Sequence, residues 1–371
     1  MRIAVFSDTY FPQVNGVSVI LGKMKEYMDQ QGIEYVYFVP GDAAEPGVFT
    51  FGGMKFPLYP ELLITVPRYA KIEKILDEFK PDLVHLATEF TLGWQGMKYA
   101  RRRHVPLTST YHTNFVQYLS YYGLPFLEKP GWRYLRWFHS RCALNFSPSV
   151  STLRLLEKHG IPSLRHCPHG IDSDLFNPAY RSMQLRKRYT SDKDGMLLLY
   201  VGRIAPEKDL EVLMDAVRLL NQRGLSYRLL MVGDGPSRHK LEQMHLDNVV
   251  FCGYQRGQDL YDLYASADIF VFPSVTETFG NVILEAMASG LPVVAAPAGG
   301  VEDNLLHGKN GLAFKSGDPQ DMAAQIEIMM TQHDLRQALA RGALEHARAR
   351  NWDGIFADFY QTLDRLLKGS S

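Results

Sequence analysis

Apolar positions in this chain come in short blocks, separated by longer stretches of helical period. The chain opens with MRIAVFSD, an apolar run closing in polar residues, and after the loop TYFPQVNG a helical pattern covers residues 17–31. Further strands are predicted at YVYFVP, DLVHLA, LTSTYH and CALNFSPS, with helices over 67–79, 93–102 and 151–159. Strands alternating with helices imply a parallel sheet covered on both faces. The loop-like stretch CPHGIDSDLFNPAYRS then interrupts the rhythm.

The rhythm restarts at GMLLLYVGRI, a nearly all-apolar strand. It continues through a helix at 209–223, strand YRLLMVGDG, helix 237–244, strand NVVFCG, helix 258–266, strand DIFVFPS and a helix from Asn281 that stops before Gly290. The expected fold class is α/β, with two doubly wound Rossmann-like domains, 1–170 and 171–352, facing across a cleft. The closing segment WDGIFADFYQTLDRLLKG reads as an amphipathic helix over 353–368, with Ile355, Phe359, Leu363 and Leu366 three or four apart, able to dock on either domain.

With 371 residues, 46% apolar and 22% charged, the chain has the profile of a soluble globular protein of two domains. No apolar run nears the roughly 20 residues that cross a bilayer, and the amino terminus has no signal-like core, so a cytosolic location is expected. Cys142, Cys167 and Cys252 lack C-x-x-C spacing, which points to buried free thiols rather than disulfides or zinc. Net charge is zero, but residues 1–170 hold 19 Lys and Arg against 14 Asp and Glu, and the remainder carries the opposite excess. The amino-terminal half is therefore the one expected to meet an anionic surface. A neutral chain without a basic fold signature gives nucleic-acid binding no support.

In open parallel sheets, ligands bind beyond the carboxyl ends of strands. The loop VTETFG leads into a helix whose N–H groups at 280–283 would face an anion, and Gly280 removes a side chain that would block approach. Glu285, about one turn in, leans back toward the helix start, and Glu277 comes from the loop. Paired carboxylates beside an anion site suit a phosphate bonded to sugars, whose hydroxyls need acceptors. Taken singly, each is as readily a solvated acid. The loop VGRIAPEK adds Gly202, Arg203 and Lys208, and its two cations would neutralise a departing diphosphate without a metal.

The ordered set GRIAPEK, VGDGP, FPSVTETFGNVILEAMASGLPVVA with glutamates eight apart, the glycine pair at 299 and 300, and NGLAF resembles the retaining nucleotide-sugar glycosyltransferases of family four, of the glycogen-synthase-like, two-Rossmann-domain type. DTYFPQVNGV also resembles the opening of such proteins, so the likeness spans nearly the whole chain. It implies a donor such as UDP-glucose or GDP-mannose, held mainly by the second domain as a substrate, with no cofactor and no metal. Glu285 would then bind the ribose hydroxyls and Glu277 the transferred hexose. Arg203 and Lys208 would bind the diphosphate, and Phe279, Gly280 and Asn281 would reach hexose and phosphate through backbone groups. Gly16 would let the first domain's backbone close on the diphosphate, while Gly253 and Tyr254 would lie near the base. His112, ending LTSTYH, would bond the hexose 6-hydroxyl; His85, His166 and His169 have less claim.

The implied chemistry retains the anomeric configuration. The nucleoside diphosphate departs and the acceptor attacks from the same face, with catalysis resting on Arg203, Lys208, Glu277 and His112. On this reading Arg203→Ala lowers turnover far more than stability, and the domains close over the donor.

YHTNFVQYLSYYG, residues 111–123, is similar to a segment of bacterial members that build glycolipids, including mannosyl-, glucosyl- and sulfoquinovosyl-transferases, which implies a sugar or lipid-linked acceptor. KPGWRYLRWFHSR, 129–141, interleaves Lys129, Arg133, Arg136 and Arg141 with Trp132, Tyr134, Trp137 and Phe138, and YARRRH, 99–104, adds three cations. Two arrangements fit. Either the aromatic side lies on the anionic inner face of the cell membrane, or the aromatics pack on the core and the cations are solvated. Two other functions share the architecture: a sugar-nucleotide epimerase, which needs acid–base residues around the sugar that this pattern does not suggest, and a non-catalytic sugar-nucleotide-binding or scaffold protein, which would have lost parts of the set, whereas none is missing here. SDTYFPQVNG lacks the G-x-G-x-x-G of a nicotinamide dehydrogenase.

Overall fold

The computed structural model describes residues 1–13, 15–42, 45–56, 59–190 and 195–369, so Val14 of the opening motif lies outside the described residues. The chain divides into two compact units. The first is Met1–Thr113, Phe126–His169 and Trp352–Ser371; the second is Asn114–Pro125 and Gly170–Asn351.

The first unit carries β1 (Arg2–Phe6), β2 (Glu34–Pro40), β3 (Val48–Phe51), an antiparallel pair β4 (Gly53–Phe56) and β5 (Tyr59–Thr65), then β6 (Leu83–Leu86), β7 (Leu107–Thr110), β8 (Leu144–Ser147) and β9 (Leu164–His166). Seven of these form a parallel sheet in the order β3-β2-β1-β6-β7-β8-β9. Covering both faces is what makes strands such as IAVF and LVHL apolar on successive positions. Phe6 and Phe38 stack on one face with Leu86 and Met97, while Ile3, Val5 and Tyr37 meet Leu21, Met24 and Met28 on the other.

The carboxyl-terminal helix, Trp352–Gly369, completes that second face. It buries Phe356, Phe359, Tyr360 and Leu363, so the apolar stripe lies one residue round from the expected one, and Ile355 and Leu366 flank it. Aromatic packing decides the rotation: Phe359 sits 4.7 Å from Phe146 and Tyr360 stacks on Tyr27 at 5.3 Å.

The second unit carries β10 (Met196–Val201), β11 (Tyr227–Val232), β12 (Val249–Gly253), β13 (Ile269–Phe272), β14 (Val293–Ala295) and β15 (Gly311–Ala313) in one parallel sheet, ordered β12-β11-β10-β13-β14-β15. Leu197 to Tyr200 are fully buried, as the all-apolar run required. Helix Leu210–Gln222 adds Leu213, Met214, Val217 and Leu220 to the same core.

Residues 129–141 fall largely in helix Glu128–His139, which packs its aromatics inward. Trp132 and Phe138 are buried, with Trp132 flat against His159 at 3.7 Å, whereas Lys129, Arg133 and Arg136 are exposed. Core packing with solvated cations is therefore the observed arrangement, and the aromatic side is not available as a whole to a membrane. Tyr134 and Trp137 remain half-buried beside Trp94, which is 48% exposed. No helix among the described residues is long and apolar enough to cross a membrane. The three cysteines are free thiols; Cys142 is buried, but Cys167 and Cys252 are only partly so.

Candidate functional site

The strand order of the second sheet reverses between β10 and β13, so the loops leaving these two strands at their carboxyl ends lie side by side. This brings Gly202, Arg203 and Lys208 together with Glu277, Phe279, Gly280 and Asn281. Lys208 Nζ lies 2.5 Å from Glu277 Oε1, which also accepts a hydrogen bond from Ser274 Oγ at 2.8 Å. Burial pulls the Lys208 ammonium toward a lower pKa, but Glu277, with Tyr118 and Tyr200, outweighs it and holds the pKa above its ordinary value. Lys208 therefore stays a cation in a largely dry setting.

Arg203 is paired in the same way. Its Nη1 donates to the Tyr122 hydroxyl at 3.1 Å and lies 3.3 Å from Glu207 Oε1. Glu207 is buried, with 2% of its side chain exposed, and its backbone carbonyl accepts from Thr276 Oγ1 at 3.0 Å, which ties the two loops together. These cations are thus held by carboxylates rather than bare, and a diphosphate would compete with partners already in place. The Glu207 pairing also removes the ground for expecting Arg203→Ala to spare stability. Deleting the guanidinium strands a buried carboxylate, which typically costs about 3–5 kcal/mol.

Helix Asn281–Ala288 starts at Gly280, whose φ of +81° places it in the left-handed region. A Cβ there would meet Ile283 Cδ1 at an ordinary 3.5 Å, so backbone conformation requires the glycine, not lack of room. The Ile283 N–H donates to the Gly280 carbonyl at 2.9 Å and drops out of the expected anion-facing set. At Gly300 the reason is space: a Cβ would fall 2.3 Å from Phe279 Cα, and the Gly300 N–H donates to the Glu277 carbonyl at 2.6 Å. The glycine pair thus supports the 277–279 backbone from behind, helped by Asn304, which donates to the Phe279 carbonyl at 2.8 Å.

Glu285, half-buried on this helix, accepts the Tyr264 hydroxyl at 2.7 Å. Burial pushes its carboxyl from 4.5 up to about 7, and the Tyr264 bond offsets part of that rise. Gly253 ends β12 and Tyr254 follows it, two strands from β10, or roughly 10 Å away at ordinary strand spacing. Tyr254 is 51% exposed and donates to the Asp234 carbonyl in the neighbouring loop at 3.5 Å.

Gly16 and His112 belong to the first unit. Gly16 is exposed at the start of helix Gly16–Gln31, behind the cap in which Asn15 Oδ1 accepts the Ser18 N–H at 2.9 Å. His112 follows β7 with its ring 5.9 Å from that of His169. Burial, then His169 and His85, hold its pKa well below the ordinary value, so it is a neutral imidazole suited to hydrogen bonding, not to carrying charge. His85 is a core residue between Thr108 and Thr110, at 3.0 and 3.2 Å, and His166 Nε2 donates to the Pro148 carbonyl at 3.2 Å. No cluster of metal-ligating side chains occurs among the described residues.

Four residues that the sequence reading passed over shape the site: Glu207, Tyr122, Tyr264 and Asn114. Glu207 had a signal, since it stands four residues after Arg203 inside GRIAPEK. Tyr122 and Asn114 lay within the quoted segment 111–123 with nothing to show that it packs in the second unit; Tyr264 had no signal at all.

Residues 14–175 match the family described as Glycosyltransferase Family 4, and residues 195–332 match Glycosyl transferases group 1. A GDP-mannose-dependent alpha-mannosyltransferase of Mycobacterium tuberculosis is 33% identical over 362 residues, 95% of this chain and 93% of that one. An alpha-monoglucosyldiacylglycerol synthase of Streptococcus pneumoniae is 28% identical over 387 aligned positions, spanning 100% of this chain and 87% of its own. Among solved structures, the sucrose-phosphate synthase of Thermosynechococcus elongatus superposes with a TM-score of 0.83 over 100% of both chains at 21% identity, which identifies the fold as the GT-B glycosyltransferase type.

Proposed function

This chain belongs to the family-four glycosyltransferases, and from that premise we propose that it moves a hexose from a UDP- or GDP-linked donor to the hydroxyl of a sugar or lipid-linked acceptor, with retention and without a metal ion. The observation that carries this reading is the two partly buried ion pairs, Lys208–Glu277 and Arg203–Glu207, set at the switch point beside the start of helix Asn281–Ala288. A diphosphate entering there takes Lys208 and Arg203 as partners. That frees Glu277 to accept hydroxyls of the hexose, while Glu285 accepts those of the ribose and the backbone at 279–281 contacts hexose and phosphate. His112 and Gly16 are assigned the hexose 6-hydroxyl and the diphosphate from the first unit; Gly253 and Tyr254 take the base.

In the step itself the bond from the anomeric carbon to the phosphate oxygen breaks. The acceptor hydroxyl bonds that carbon from the same face, and its proton passes to the departing phosphate. Lys208 and Arg203 hold the charge that develops there, a contribution worth about a hundredfold in rate per contact. The mannosyltransferase relative makes GDP-mannose the first donor to test, and the diacylglycerol-named relative supports a lipid-linked acceptor. Peripheral contact with an anionic membrane belongs to the same proposal. It falls to Lys129, Arg133 and Arg136, with the exposed Arg101, because Arg102 and Arg103 are engaged by Glu73 and Asp77.

Thermal melting against UDP, GDP, ADP and their glucose, galactose, N-acetylglucosamine and mannose conjugates tests the donor site. A ligand at 100 times its dissociation constant adds about 2.7 kcal/mol to the folded state. The expected result is a rise with one nucleotide series that disappears in Glu285→Ala. A flat response to every nucleotide would mean that the helix start holds something else or nothing, and would favour a scaffold protein instead.

A further inference from the structure

After β7 the chain leaves the first unit at Thr113 and returns to it at Phe126, and residues 114–125 belong with the second unit. Helix Phe115–Tyr121 occupies most of this excursion, with Tyr122 as its closing residue. Asn114 Nδ2 donates to the Thr276 carbonyl at 3.2 Å, and Thr276 is itself bonded to Glu207, so the start of the segment is fixed to both loops of the candidate site. At its other end the Tyr122 hydroxyl lies between two charged groups. It accepts from Arg203 Nη1 at 3.1 Å and donates to Glu207 Oε2 at 3.2 Å. Burial and the nearby Glu207 push the Tyr122 phenol up to about 12, so it keeps the proton it donates. Tyr118, four residues earlier and on the same helix face, is close enough to help hold the Lys208 pKa up.

A guanidinium recognises a phosphate bidentately in its own plane only. Nη1 of Arg203 is committed to Glu207 Oε1 and to Tyr122, and the same hydroxyl holds the other carboxylate oxygen, which sets the plane before any ligand arrives. We propose that Tyr122 is a positioning residue for the diphosphate, and that the excursion 114–125 serves to bring it to Arg203. This rests on the functional reading above only in taking Arg203 as a diphosphate contact. That hydroxyl comes from chain that interrupts the first unit, not from a loop of the second unit's own strand series.

The test couples Tyr122→Phe with Arg203→Lys, whose ammonium keeps a charge opposite Glu207 but has no plane to orient. Binding of inorganic pyrophosphate is measured by calorimetry for the wild type, both single variants and the double variant, alongside donor turnover. Tyr122→Phe is expected to weaken pyrophosphate about fivefold and to lower kcat about tenfold with donor KM within about twofold, since the contact strengthens as charge develops. In the Arg203→Lys background the same change should cost less than about twofold in either measure. An equal loss in both backgrounds, or no loss in the wild type, overturns the positioning role. If the pyrophosphate pattern holds but no nucleotide-sugar is turned over, the functional reading fails and the positioning role stands. A wild type that neither binds pyrophosphate nor turns over donor contradicts both.

Discussion

At the scale of single residues, the site holds groups that are costly to keep and useful once a ligand arrives. Glu285 is the clearest. Its carboxyl has an ordinary value of 4.5 and rises to about 7 on burial, so the folded protein binds its proton more tightly than the unfolded chain does. The stabilising share is therefore complete below about pH 4.5 and is lost as pH rises through about 7. At 1.36 kcal/mol per unit this amounts to at most about 3 kcal/mol. Glu285→Gln removes the cost while keeping the shape and the Tyr264 hydroxyl's acceptor. Its melting temperature should exceed that of the wild type at pH 8, with the gap closing toward pH 5, while donor affinity falls. A gap that does not change with pH would show that Glu285 is not held in this strained ionisation. Lys208 and Arg203 likewise sit in a poorly hydrated setting, each against a carboxylate partner with which a diphosphate would have to compete.

At the scale of elements, what could be read from the sequence was whatever two-sided burial or backbone geometry writes plainly into it. MLLLYV, YRLLMV and IFVF are continuous apolar runs because both sheet faces are covered, and the structure makes them β10, β11 and β13. The helix from Asn281 was marked at both ends by glycine. Strands β9, β14 and β15 have three residues each, too few for a period to show, and β3 buries only its two end residues, Val48 and Phe51. The carboxyl-terminal helix was visible, but the one-residue turn of its buried stripe depended on partners, Tyr27 and Phe146, that lie far away in the chain. Residues 129–141 illustrate the same limit: alternating Trp and Arg satisfy a core-facing helix and a membrane-facing one alike, and only packing decides. The excursion 114–125 was the least legible part, because which unit a segment joins is a long-range property.

At the scale of the molecule, charge and chemistry separate. The chain is neutral, yet residues 1–170 carry a surplus of five positive charges and the remainder carries the matching deficit. Membrane contact through the exposed Lys129, Arg133 and Arg136 predicts that sedimentation with phosphatidylglycerol vesicles falls as salt rises past about 0.15 M and is absent with neutral lipid; binding indifferent to both would remove the electrostatic basis. Family membership and fold establish a glycosyltransferase; what its site does with a donor shows in the stereochemistry and the metal dependence of transfer. Both are read from the one-bond C1–H1 coupling, by NMR, of the glycoside formed from an α-linked nucleotide-sugar donor in the presence of a chelator, a coupling that separates the anomers of mannosides as well as glucosides. Retaining, metal-independent transfer predicts an α-linked product at an undiminished rate. A β-linked product, or transfer that stops when divalent ions are removed, would contradict it.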